Sequence, residues 1–263
     1  MKKVIALLLT AVLAVSALAG CGSNAGTAGN AGSGDKTKRT LSVATSPDFP
    51  PFESLDGTKL IGIEVELMDM IAEKMDVNIE YVQIDFDSVL NGVEAGKYDI
   101  GMSGISVTDE RKENALFTDP YCLAAQAIVV TEGSPIAAKA DLAGKAVSVQ
   151  TGTTAELFCN AEGYNVSSFQ ANSDAESALV TGKVDAWVID DLTAAEMVAA
   201  YNAENDTKLV ILSEAMTTEP YAFMTKLGND DLVKEINTQL DALVKDGTVK
   251  SLFEKYNAPY TQP

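Results

Sequence analysis

From residue 40 onward the chain repeats one phrase: a short apolar strand, a polar or glycine-bearing turn, then a helix with one apolar face. The strand candidates are "LSVAT" (41–45), "NIEYVQI" (78–84), "YDIGM" (98–102), "AAQAIVV" (124–130), "KAVSVQ" (145–150), "VDAWVI" (184–189), "KLVIL" (208–212) and "PYAFMT" (220–225). Between them, "IEVELMDMIAEKM" (63–75) places Val65, Leu67, Met68, Ile71 and Met75 close to a 3.6-residue stripe. "DDLVKEINTQLDALVKDG" (230–247) does so with Leu232, Ile236, Leu240 and Val244 at strict fours. Strand and helix in alternation require an α/β fold with largely parallel sheets.

In open α/β sheets ligands bind beyond the carboxyl ends of strands, so the turns after the strands carry the functional information. Five of them hold polar or aromatic side chains suited to a small zwitterion: Ser46-Pro-Asp-Phe49, Asp85-Phe86-Asp87, Ser103-Gly104-Ile-Ser106, Thr151-Gly152-Thr153-Thr154 and Asp190-Asp191.

Charge narrows the function. The 263 residues include 38 acidic and 19 basic side chains and no histidine. Setting aside the first twenty residues, with Lys2 and Lys3, leaves 17 basic against 38 acidic, a balance of −21. Such a surface repels phosphate backbones and anionic headgroups, which excludes nucleic acid as a partner. The missing histidine removes Ser-His-Asp and Cys-His nucleophiles and histidine-ligated zinc. No cofactor or metal is called for.

Residues 1–20, "MKKVIALLLTAVLAVSALAG", have a basic head and an apolar run too short and wrongly flanked for a lasting span, which is export-signal architecture. Leu18-Ala19-Gly20-Cys21 looks like the lipobox of bacterial lipoproteins, in which the cysteine becomes a diacylated N-terminus. Two acyl chains anchor stably. Residues 21–39, rich in Gly, Ala, Ser, Asn and Thr, read as a flexible tether with an r.m.s. reach of roughly 20 to 25 Å. Cys122 and Cys159 could pair in an oxidising compartment, but buried free thiols are the preferred reading.

Each turn has a functional and a plain reading. "TGTTAE" is a capping box of Thr153 and Glu156 whose N–H groups, Thr154 included, could also bind an anion. In "SGISVTDER", Thr108 caps a helix in whose first turn Arg111 opposes the macrodipole. Its planar fork suits a ligand carboxylate, and the alternative is a surface pair with Asp109, Glu110 or Glu113. One of Asp190 and Asp191 caps the next helix, and the spare could hold an ammonium. Phe49 and Phe86 are either core or walls that stack on a flat group, with Asp87 a cap for the following helix. Trp187 reads as core.

With these residues in view the chain resembles the type-2 periplasmic binding proteins, specifically the polar amino acid receptors of ABC importers. The likeness rests on "LSVATSPDFPPFESLDGTKLIGIEVELMDMIAEKM", "IDFDSVLNGVEAGKYDIGMSGISVTDERKENALFTDPY", "LAGKAVSVQTGTTAEL" and the closing "DGTVKSLFEKYN". It implies two Rossmann-like lobes with mixed, largely parallel sheets joined by a two-strand hinge: lobe 1 at 40–126 and 222–263, lobe 2 at 127–221, with "AAQAIVV" and "PYAFMT" as the crossings. It further implies a carboxylate clamp at Arg111 helped by Ser106 and Thr154, and an ammonium ligand at Asp190 aided by Ser103, Gly104 and Ser106. The aromatic walls fall on Phe49 and Phe86. Ser46 stands where relatives that bind basic amino acids often carry an aspartate, although Asp48, Glu53 or Asp191 could substitute, and Gln150 could read a neutral polar side chain. The expected protein is a monomeric, lipid-anchored receptor outside the cytoplasm. It would hand a free polar L-amino acid to a permease driven by a cytoplasmic ATPase, with Arg111 partly solvated before the ligand arrives. A dehydratase of the prephenate or arogenate type on the same fold, with Asp190 or Asp191 as acid, and a ligand-sensing lipoprotein are the alternatives.

Overall fold

The computed structural model describes residues 38 to 263. The chain opens with β1 (Thr40–Thr45) and then a small antiparallel sheet of β2 (Asp48–Phe49), β3 (Glu53–Asp56) and β4 (Lys59–Ile61). Asp56 pairs with Lys59 across the loop Gly57–Thr58, and Gly57 takes the positive φ (63°) that a two-residue hairpin loop needs. Next come α1 (Ile63–Met75), β5 (Asn78–Gln83), α2 (Phe86–Glu94), β6 (Ile100–Gly101), the four-residue α3 (Asp109–Lys112) and β7 (Ala115–Phe117).

The middle of the chain contributes β8 (Cys122–Ala124), β9 (Gln126–Thr131), β10 (Ala146–Gln150), α4 (Thr154–Ala161), β11 (Asn165–Phe169) and α5 (Asn172–Val180). It continues through β12 (Ala186–Asp190), α6 (Asp191–Glu204) and β13 (Leu209–Ile211). The last part returns through β14 (Glu219–Tyr221) and β15 (Met224–Lys226) to α7 (Asp230–Lys245) and α8 (Thr248–Lys255).

Two five-stranded sheets result, ordered β5-β1-β6-β15-β7 and β11-β10-β12-β9-β13. Each has two parallel and two antiparallel ladders, so the parallel character is confined to three strands of each sheet. The cause is symmetric. β8 and β14 pair antiparallel as a two-stranded ribbon, and the strand after each of them, β9 or β15, enters its sheet against the local direction.

Two stretches that read as single strands are broken here. "AAQAIVV" breaks at Ala125, whose N–H donates to the Asp191 carboxylate at 3.1 Å instead of continuing a ladder. "PYAFMT" breaks at Ala222–Phe223, between β14 and β15.

The helix stripes match their spacing with one shift. α1 buries Ile63, Val65, Leu67, Met68, Ile71 and Ala72, and also Glu64. α7 buries Leu232, Ile236 and Leu240, but then Leu243 rather than Val244. A spacing of four overshoots the 3.6-residue turn, and after three steps the stripe has moved back one position. α7 and α8 pack on α1 over the first sheet. Behind the ribbon, Phe52, Tyr121, Tyr221, Phe223 and Phe253 are buried against one another, with ring centroids 5.1 to 6.5 Å apart. Trp187 is fully buried, and Cys122 and Cys159 are buried free thiols.

Candidate functional site

The carboxyl ends of β1 and β6 in one sheet and of β10 and β12 in the other face a common cleft. There a cavity of about 290 Å³ is lined by Phe49, Phe86, Ser103, Gly104, Ser106 and Arg111 on one side. Gln150, Thr153, Thr154 and Asp190 line the other. Nine of the ten ligand-contact candidates therefore converge; Ser46 does not. Its N–H donates to Ser103 Oγ (3.2 Å) and its hydroxyl to Asp48 (3.1 Å), so it lies behind the cavity wall. Cys21 lies outside the described residues.

Arg111 is better held than expected. It is 7% exposed rather than partly solvated: Nη1 donates to the Ser106 carbonyl (2.8 Å) and Nη2 to the Gly152 carbonyl (3.1 Å), one from each side of the cleft. Its guanidinium carbon stands 5.7 Å from the Phe86 ring centroid. It pairs with none of Asp109, Glu110 and Glu113 among the described ion pairs; Asp109 pairs with Lys112 instead. The supposed dipole conflict also disappears, because α3 is one turn long and Arg111 is in its last turn as much as its first. Thr108 caps it, accepting the Arg111 N–H at 3.1 Å. Burial lowers the Arg111 pKa, and the nearby carboxylates of Glu219 and Asp190 oppose that shift.

Asp190 terminates β12, 7% exposed. It begins α6 without capping it by its side chain. Asp191 instead accepts the N–H groups of Ala125 and Leu192, which leaves Asp190 as the spare carboxylate. Asp190 accepts from Gln126 Nε2 (2.8 Å) and from the Tyr221 hydroxyl. Burial pushes its pKa up to about 7, the Glu219 charge adds to the rise, and the bonds from Tyr221 and Gln126 oppose it. Among the described residues no lysine or arginine forms an ion pair with Asp190 or Glu219.

The Ser103–Gly104 corner rests on two fully buried glutamates. Ser103 Oγ donates to Glu53 Oε1 (2.6 Å), the Gly104 N–H to Glu64 Oε2 (3.1 Å), and the Tyr121 hydroxyl to Glu64 Oε1. Burial and the Glu64 charge push Glu53 well above the usual carboxylate range, and burial raises Glu64 less. The rise favours the protonated form of Glu53, whose Oε2 has no hydrogen-bond partner among the described residues. Gly104 has φ 53°, and a β-carbon there would meet the Phe49 ring at 2.5 Å, so only glycine lets that ring form the wall.

Gln150 lines the cavity with its amide engaged: Oε1 accepts from Asn172 Nδ2 (3.0 Å), and Nε2 donates to the Gln170 carbonyl (3.0 Å) and, more weakly, to Asp48 (3.4 Å). Asp48 also accepts the Asn172 N–H (2.7 Å), and burial raises its pKa. Thr153 caps α4 as expected, accepting the Glu156 N–H at 3.2 Å, but Glu156 reaches back to the Gly152 N–H (2.7 Å) rather than to Thr153. Phe86 is the first residue of α2 rather than part of a turn, and Asp87 accepts the adjacent Ser88 N–H.

Sequence reasoning missed Gln126, Tyr221 and Glu219. Glu219 was findable as the one charge in the apolar hinge stretch "EPYAFM". Glu64 gives no signal of its own in the sequence, since it is one of two acids in the first turn of α1.

The model for bacterial extracellular solute-binding proteins, family 3, matches residues 41–259. The L-cystine-binding protein TcyJ of Escherichia coli (strain K12) is 30% identical over 253 residues, 94% of each chain. A structure of an ancestral arginine-binding protein bound to glutamine is 38% identical with a TM-score of 0.77, covering 83% of this chain and 98% of that one. The ancestral amino acid-binding protein AncCDT-1, described as a precursor of cyclohexadienyl dehydratase, is 32% identical with a TM-score of 0.75, covering 82% and 95%.

Proposed function

The chain belongs to the bacterial extracellular solute-binding proteins of family 3, and from that premise we propose that it captures a free polar L-amino acid in its cleft and delivers it to the permease of an ABC importer. One observation carries the ligand class: a guanidinium and a carboxylate without a cation partner face one cavity of about 290 Å³ between two aromatic rings. A guanidinium and a carboxylate on one small cavity match the two charged ends of a single free amino acid.

The α-carboxylate goes to Arg111 and the N–H of Thr154, the α-ammonium to Asp190, and the side chain lies between Phe49 and Phe86. Ser46 shapes this end only from behind. Relatives named for cystine and for arginine, the latter with glutamine bound, place polar side chains in the same scaffold. The amide of Gln150 lines the cavity, with the half-buried Asp48 behind it, which favours a polar partner over an apolar one. Charge-assisted contacts at both ends of a water-poor cleft are adequate for a micromolar complex, about −8 kcal/mol.

The two sheets form the cores of two lobes, 40–126 with 222–263 and 127–221, and β8 with β14 lets them hinge. Arg111 binds first, and closure brings Thr154 and Asp190 onto the ligand. The family is extracellular; diacylation of Cys21 and the 21–39 tether hold this monomer at the outer face of the membrane. The carboxyl poised near pH 7 at Asp190 is what an acid catalyst needs, but an arriving ammonium accounts for the same feature. TcyJ and both ancestral proteins are named for binding, although AncCDT-1 is also described as a precursor of a dehydratase. These names support a receptor that returns its ligand unchanged over an enzyme.

Thermal-shift measurements against the twenty amino acids test this. A rise in melting temperature with one or a few polar L-amino acids is expected, because ligand bound to the folded state alone stabilises it. No shift with any of them, or conversion of a prephenate-like acid followed by NMR, overturns the proposal.

A further inference from the structure

Glu219 lies on β14, 7% exposed, and accepts three hydroxyl groups. Ser106 Oγ and Thr154 Oγ1 (2.7 Å) both donate to its Oε2, and Thr217 Oγ1 donates to Oε1 at 2.8 Å. Ser106 follows β6 of the first sheet and Thr154 begins α4 on the second, so a single carboxylate oxygen on the ribbon collects one hydroxyl from each side of the cleft. Both hydroxyls also line the cavity.

A hydroxyl has one proton and two lone pairs. Once Ser106 and Thr154 give their protons to Glu219, what remains to face a ligand is acceptor capacity. Gln126 Nε2 already uses it at Thr154, donating at 3.2 Å while it also donates to Asp190. These hydroxyls cannot then donate to a ligand carboxylate, and that task is left to Arg111 and backbone N–H groups.

We infer that Glu219 is a positioning residue: it ties the two sides of the cleft together through their own hydroxyls and orients the Ser106 and Thr154 oxygens as acceptors for a ligand ammonium. The ammonium half of this inference rests on the amino acid reading above; the tie between the lobes does not.

The test is a double-mutant cycle in the full-length protein. Glu219→Ala and Glu219→Gln are each made alone and in a Ser106→Ala, Thr154→Val background, with folding checked by circular dichroism. Spin labels at Leu227→Cys, in the turn after β15, and at Val210→Cys on β13, both exposed, report the distance between lobes without ligand. Calorimetry with L-arginine and L-glutamine reports affinity.

Glu219→Ala is expected to broaden the ligand-free distance distribution and to weaken amino acid binding at least tenfold. Glu219→Gln, which keeps one carbonyl acceptor, recovers part of both. In the hydroxyl-free background Glu219→Ala adds less than twofold, since neighbours acting through one another do not add. Equal effects in both backgrounds overturn the inference. A wild-type protein that binds no amino acid while the distance cycle still shows coupling overturns the proposed function and the ammonium role, and leaves the tie standing.

Discussion

Two pairs of buried carboxylates meet this cleft, and they resolve the same electrostatic problem in opposite ways. Glu53 and Glu64 are wholly enclosed, whereas Asp190, on the cavity, and Glu219, behind the lining hydroxyls of Ser106 and Thr154, are each 7% exposed. Among the described residues neither pair has a lysine or arginine bonded to it. Two like charges in a medium of low polarity cannot both persist without compensation. In the enclosed pair burial favours the protonated form, of Glu53 above all, while Tyr121 and the Gly104 N–H donate to Glu64. The pair at the cavity is compensated only partially, by hydroxyls, an amide and Arg111 nearby. The enclosed pair therefore supports the wall, and the pair beside the cavity is the one left short of positive charge.

Removing Arg111 unbalances the open pair most. Arg111→Ala is expected to lose about 3 to 5 kcal/mol of amino acid affinity, because a ligand carboxylate is left without its clamp and two protein carboxylates without the cation beside them. Calorimetry giving an unchanged dissociation constant would contradict the assignment.

Asp190→Asn tests the other end, with an expected loss of about 2 to 4 kcal/mol of affinity for removing one partner of a buried charge pair. It also carries a pH signature. The Asp190 pKa is raised by burial to about 7 in the folded protein, against about 3.9 when unfolded. The folded state thus binds the proton more tightly, so the stability linked to this group is full below about pH 4 and falls as pH rises to about 7. A ligand ammonium should reverse this by driving the proton off. Wild type is expected to release protons on binding near neutral pH, seen as a buffer-dependent heat, and Asp190→Asn to release none.

At the enclosed pair the effects are smaller. Glu53 is raised well above the carboxylate range, so its contribution is intact at low pH and is lost as pH climbs through its folded value. Glu53→Gln keeps the shape and supplies a permanent N–H. Its melting temperature relative to wild type should rise as pH climbs through the folded Glu53 value; parallel pH curves would contradict the raised pKa. Ser103→Ala removes one hydroxyl bond to Glu53 and should cost about 1 kcal/mol in denaturant unfolding. A loss several times larger would mean that the sealed pair depends on the cleft after all.

The same contrast explains what could be read from the sequence. Arg111, Asp190 and the phenylalanines stood out because each was a residue out of place in its turn, and the cavity gathers them. The faces of α1 and α7 followed from spacing alone. Glu64 was invisible because a first-turn acid is normal on any helix, and only the close packing of Gly104 and Tyr121 makes it a buried one. Tyr221 and Gln126 are ordinary strand residues whose role comes from the pairing of β8 with β14 and of β9 with β12, which no local pattern encodes. Arg111 was expected to be loosely held because its two backbone acceptors, 5 and 41 residues away, become neighbours only in the fold.

Gly152 gives the cleft its tolerance. It has φ 80°, and a β-carbon placed on it would stand 3.1 Å from the Asp87 β-carbon on the opposite wall. An alanine there would be strained at that φ and would press on Asp87, so one wall or the other would have to give by a few tenths of an ångström. The spacing of the two walls thus rests on the absence of a single methyl group, on a residue whose side chain takes no part in the chemistry of the cleft.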